Sequence, residues 1–123
     1  MPSSRDITVL TDVELITCIV QKGKADEILK AAYEAGAQGA TIYYAQGSGV
    51  REKLGVFGVA IEAEKEVINI IVSTEQSNRV FERIYLAGKL DTPGMGFAYM
   101  TRLEKGATYI PKEVLERIEG AKL

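Results

Sequence analysis

The same layout occurs twice along this chain. A short aliphatic run, VELITCIV at residues 13–20, leads into a helical pattern, a glycine at position 36 and a second strand pattern. VINIIV at residues 67–72 leads in the same way through a helical pattern to Gly88 and another strand. Each half reads as strand, crossover helix, strand. Two right-handed units of that kind fold most simply into a split, four-stranded antiparallel sheet with both helices on one face. The expected fold class is therefore α+β, a ferredoxin-like double βαβ. Leu15, Ile16, Ile19 and Val20, like Ile68, Ile70, Ile71 and Val72, place apolar groups on both faces of their strands. Two helices cover only one face, so the other is expected to be buried by assembly into a closed ring.

Local signals divide the chain further. Ala25, Ile28, Leu29, Ala32 and Ala35 recur at helical spacing, with Asp26 and Glu27 in the first turn and Gly36 just past the end. ATIYYA at residues 40–45 reads as a strand, broken by Gly47-Ser48-Gly49, and residues 50–57, VREKLGVF, as an exposed loop. A hairpin is expected next, with Val59 to Glu62 as one arm, a turn at Glu64-Lys65 and Val67 to Val72 as the other. Ser73 and Gln76 have capping-box spacing ahead of the apolar helix positions Val80, Phe81, Ile84 and Ala87. Phe97 to Leu103 forms the last strand. Pro111, followed by Val114, Leu115 and Ile118, starts a short C-terminal helix. Residues 1–12 are polar and form a flexible or edge-pairing segment, and residues 13–123 form a single domain.

Histidine is absent and the one cysteine, Cys18, lies inside an apolar run. That excludes Ser-His-Asp and Cys-His catalysis and histidine-based zinc sites, and makes Cys18 a core residue. A formal charge of −2 with interspersed signs carries no basic stripe, which argues against nucleic-acid binding. No apolar run approaches the length of a bilayer span and no leader pattern opens the chain. The reading is a soluble, cytoplasmic protein without membrane insertion.

The densest functional signal is AGKLDTPGMGF, residues 87–97. Gly88, Gly94 and Gly96 allow positive φ and close backbone approach, and Pro93 stiffens the approach to Gly94. Free backbone N–H groups in such a loop can cradle an anion, with Lys89 as counter-charge. A helix stop, a turn and a surface lysine explain the same residues without a ligand.

These residues resemble the P-II signalling-protein family, in its divergent P-II-like branch, from about Glu14 to Leu103. Gly36, Gly39 and Thr41 stand in the family's Gly-x-x-Gly-x-Thr pattern. Gly47 and Gly49 match the Gly-x-Gly that opens its T-loop, and Ala87-Gly88-Lys89 the Thr-Gly-Lys that opens its nucleotide-binding B-loop. The resemblance implies a homotrimer with inward-facing sheets and ligand clefts between subunits. It also implies that the T-loop signals to a transporter, enzyme or regulator. Where the family has Gly-Asp-Gly-Lys, this chain has Leu90-Asp91-Thr92-Pro93-Gly94-Met95, and its last strand offers only Arg102 and Lys105 in place of paired arginines. Fewer fixed cations argue against tight ATP binding. No tyrosine lies between Gly49 and Gly58, so covalent modification there is not expected.

The resulting expectation is a non-enzymatic regulatory trimer that senses a small effector, with AMP, ADP or ATP as the candidate ligand and no obligatory cofactor. The ligand residues are Thr41, Gly47, Gly49, Gly88, Lys89 and Gly94, and Arg51, Glu52 and Lys53 form the partner-contacting loop. Two alternatives remain at this stage. One is a small enzyme working through Glu62, Glu64, Asp91 or a tyrosine; the other is a CutA-type metal-tolerance trimer, for which the chain has few soft ligands.

Overall fold

In the computed structural model, residues 7–47 and 63–114 are described. The elements follow the order β1 (Val13–Gln21), α1 (Ala25–Glu34), β2 (Ala40–Gly47), β3 (Ala63–Ser73), α2 (Thr74–Ala87) and β4 (Gly96–Arg102). They build one four-stranded sheet in the order β2-β3-β1-β4. Every neighbouring pair is antiparallel, with Thr17 opposite both Asn69 and Tyr99, and Thr41 opposite Asn69. The two strands with the longest apolar runs, β1 and β3, take the centre of the sheet. This is the expected ferredoxin-like arrangement.

The turn expected at Glu64-Lys65 does not form. Both residues lie inside β3, paired with Gln46 and Ala45 of β2. Neither carries turn chemistry, and the alternation continues through them to the buried Glu66. The expected arm Val59 to Glu62 lies outside the described residues.

The core sits between the sheet and its two helices. Ile16, Cys18 and Val20 of β1 and Ile68, Ile70 and Val72 of β3 point to one side and meet Ile28, Ala32, Val80 and Ile84. Cys18 is a free, buried thiol, and burial pushes its pKa up to about 12, so it stays a neutral core group. On the opposite face, Tyr43, Ile71, Phe97 and Tyr99 remain exposed. The residue alternation of the strands thus leaves an apolar sheet face that the helices do not reach.

The helix ends are built by different means. Ser73 caps α2, its hydroxyl oxygen accepting from the Gln76 N–H at 3.3 Å, as the spacing predicts. Lys24 caps α1 without a side-chain bond. Glu66 of β3 supplies the acceptor instead, taking the N–H groups of Gly23 and Ala25 on Oε1 at 2.9 Å each. Arg79 Nε of α2 donates to the Ala35 carbonyl at 3.0 Å, closing the far end of α1. Residues 112–114 begin the short C-terminal helix. Leu10 and Gly106 exchange two backbone hydrogen bonds of 2.7 and 2.8 Å, bringing the segment before β1 beside the segment that follows β4. Among the described residues no helix is long and apolar enough to cross a membrane.

Candidate functional site

The loop between α2 and β4 opens at Gly88, where the glycine is expected to serve a positive φ. Gly88 has φ −82°, so no left-handed backbone requires glycine there. What requires it is space: a Cβ would lie 2.7 Å from Cδ1 of the fully buried Ile28. The left-handed residue is Lys89 itself, at φ 52°. A non-glycine residue held there aims its backbone and side chain out of the helix path, and Lys89 is exposed. Gly94 and Gly96 do have positive φ, at 81° and 151°. A Cβ on Gly96 would lie 2.5 Å from the Ile19 carbonyl oxygen, so the loop is pressed against β1 as it enters β4.

Inside the loop, Leu90 packs against the core, whereas Asp91, Thr92, Pro93 and Gly94 are exposed. Thr92 N–H bonds to the Lys89 carbonyl at 2.9 Å and Met95 N–H to the Thr92 carbonyl at 3.3 Å. From outside the loop, Gln21 Nε2 donates to the Gly94 carbonyl at 2.6 Å. The arrangement exposes one lysine and a short stretch of backbone to solvent.

A second region lies on the open sheet face, over the start of β2 and the central strands β3 and β1. Leu15, Gly39, Ala40, Thr41, Asn69 and Ile71 line a shallow hollow of about 390 Å³. Its walls are apolar, and its polar groups are the Thr41 hydroxyl and the Asn69 amide. Thr17 Oγ1 donates to Asn69 Oδ1 at 2.9 Å, fixing that amide so that its NH₂ remains a donor.

The expected site residues therefore fall into separate places. Thr41 lies in the hollow, Gly47 ends β2 opposite Ala63, and Gly88, Lys89 and Gly94 belong to the loop before β4. β2 and β4 are opposite edges of the sheet, three strand spacings of about 4.8 Å apart. A single chain does not bring Thr41 and Lys89 together. Gly49, Arg51, Glu52 and Lys53 lie outside the described residues. Asn69, Gln21 and Glu66 were absent from the sequence-derived set. Asn69 did leave a signal, as the one polar break in VINIIV.

The acid–base candidates of an enzyme are also dispersed. Glu64 forms a solvent-exposed ion pair with Lys22 at 3.4 Å, Asp91 is exposed, and Glu62 is outside the described residues. No group of three or more acidic or cysteine side chains that could hold a metal occurs among the described residues.

Residues 13–108 match the family model of nitrogen regulatory protein P-II. The chain belongs to the P-II family. Its fold is similar to that of Arabidopsis thaliana PII in a crystal structure with bound citrate. The TM-score is 0.60 at 18% sequence identity, covering 78% of this chain and 90% of that one. No curated protein matches the chain. Membership covers both crossover units and the loop between α2 and β4, and it makes the chain a member of a regulatory family.

Proposed function

We propose that this protein is a ligand-sensing regulator that works as a homotrimer and binds an adenine nucleotide in clefts between its subunits. The observation that carries this reading is the separation of the two half-sites. The hollow around Thr41 and Asn69 lies over β2, β3 and the start of β1, whereas the loop around Lys89 enters edge strand β4 beside the end of β1. They form one cleft only when the β2 edge of one copy meets the β4 edge of the next. A head-to-tail contact closes into a three-membered ring where each copy is rotated by a third of a turn from the last, and otherwise runs on as an open filament. The uncovered apolar face, with Tyr43 46% and Phe97 65% exposed, supports burial of the sheets toward the ring centre.

In this cleft the hollow receives the flat base between Leu15 and Ile71, with Thr41 and Asn69 reading its polar edge. The loop receives the phosphates on the Asp91 and Gly94 N–H groups, which no carbonyl among the described residues takes, and the Lys89 ammonium. One lysine suits a mono- or diphosphate better than a triphosphate, because each added charge needs its own charge-assisted partner. The segment after Gly47 corresponds in sequence to the family's T-loop, and through it a transporter or enzyme partner reads whether the cleft is occupied. The dispersed carboxylates and the regulatory family both favour this sensor over an enzyme.

Calorimetric titration with AMP, ADP and ATP, on protein sized by light scattering, tests the proposal. Saturable binding to a trimer is expected, and Lys89→Ala should weaken it by about tenfold, the loss of one charge-assisted contact. A trimer that ignores all three nucleotides would return the loop to a purely structural role.

A further inference from the structure

The loop that carries Lys89 has few bonds of its own. Its exposed half, Asp91 to Gly94, is closed by the 2.9 Å and 3.3 Å backbone bonds already described, and Lys89 sits in left-handed backbone. The donor that reaches it from elsewhere is Gln21, the last residue of β1, 73 positions away in sequence. Gln21 is itself held at its backbone, where its carbonyl accepts from the Lys24 N–H at 3.1 Å. The turn it opens is anchored in turn, because the buried Glu66 carboxylate takes Gly23 N–H and Ala25 N–H. Lys22 adds an exposed ion pair to Glu64. Gln21 thus extends from a fastened turn, and its side-chain amide meets the loop at the glycine with φ 81°.

We infer that Gln21 is a positioning residue for the anion-binding loop. It holds the Gly94 carbonyl toward the end of β1 and so fixes the loop in the one conformation in which Thr92 and Met95 donate within the loop and the Asp91 and Gly94 N–H groups are left for a ligand. Without that bond the loop samples more conformations, and binding must order it at a cost in affinity. The role requires a hydrogen-bond donor at the end of a long side chain, since the acceptor is a carbonyl. Glutamate at this position has the right length and the wrong chemistry. This inference rests on the ligand reading for its effect on affinity, and on geometry alone for its effect on the loop.

Two measurements on the full-length protein separate those parts. Amide hydrogen exchange without ligand should show faster exchange across residues 88–96 in Gln21→Ala and Gln21→Glu. Gln21→Lys, which keeps a long donor, should exchange as the parent does. Gln21 is solvent-exposed, so none of the three should alter the urea midpoint. Calorimetry with ADP should then show about fivefold weaker binding for the alanine and glutamate variants and recovery with lysine, the loss of one neutral hydrogen bond. Unchanged exchange in the loop, or equal exchange in Gln21→Lys and Gln21→Ala, overturns the inference. If the exchange pattern holds and the parent protein binds no ADP, the positioning role stands and the nucleotide reading falls.

Discussion

The two crossover units share a layout but start their helices differently. α2 carries its own signal: Ser73 precedes it and caps it from one residue away. α1 has only Lys24 at that place and borrows a carboxylate from β3, 41 residues ahead of Ala25. The first helix therefore depends on the second unit for its N-terminus, whereas the second helix depends on its own sequence. A repeated layout does not mean independently stable halves. Glu66 fastens one unit to the other at the end of the sheet from which the Lys89 loop also departs.

Glu66→Ala should break this dependence with the largest effect. Two backbone N–H groups, one of them buried, lose their acceptor, and the cost should be about 3 kcal/mol in urea unfolding. If the variant is as stable as the parent, water replaces the carboxylate and the units are less dependent than the geometry indicates.

The glycines that end the two helices sharpen the contrast. At Gly88 an added methyl would strike Ile28 Cδ1, so Gly88→Ala should cost about 2 kcal/mol by overpacking. Ile28→Val, which removes that terminal carbon, should recover part of the loss in the double variant. At Gly36 the near atoms are side-chain ends of Gln76 and Arg79, and the constraint is φ 113°. Gly36→Ala should cost about 1 kcal/mol of backbone strain, with no recovery from Ile28→Val. Recovery at both positions would contradict the assignment of the two causes.

Ser73→Ala should have the smallest effect. The 3.3 Å cap bond is long and only partly buried, and a loss of about 0.5 kcal/mol is expected from thermal or urea unfolding. A loss equal to that of Glu66→Ala would erase the distinction between a local and a borrowed cap.

Local chemistry was legible in the sequence and tertiary chemistry was not. Alternating and helical apolar spacing identified the strands and helices, and Ser73 with Gln76 announced the α2 cap. The faces of the sheet followed from the same pattern, since Ile16 and Ile70 had to oppose Ile19 and Ile71. Glu66 gave no local sign of its role, because its partners at Gly23 and Ala25 come from another strand's exit. For the same reason a turn was expected beside it, where the chain continues as β3. The glycine-rich loop was found, but its left-handed residue is Lys89 and the glycine before it answers to Ile28. Gln21 escaped notice because a glutamine at a strand end is ordinary until the loop it meets is in place. The expected ligand residues divide into two proposed half-sites, Thr41 in the hollow on the sheet face and Gly88, Lys89 and Gly94 in the loop before β4, and nothing in the linear order shows that separation.

Mixed assemblies test most directly whether those half-sites belong to one cleft. Thr41→Trp fills the hollow at an exposed strand position, and Lys89→Ala removes the loop cation. Each variant alone should bind ADP poorly in calorimetric titration. In a randomised one-to-one mixture, a cleft that pairs the hollow of a Lys89→Ala copy with the loop of a Thr41→Trp copy is intact, which is about a quarter of all clefts. Recovery of about that fraction of the parent stoichiometry is the expected result. A mixture that binds no better than either variant alone would contradict a site shared between copies.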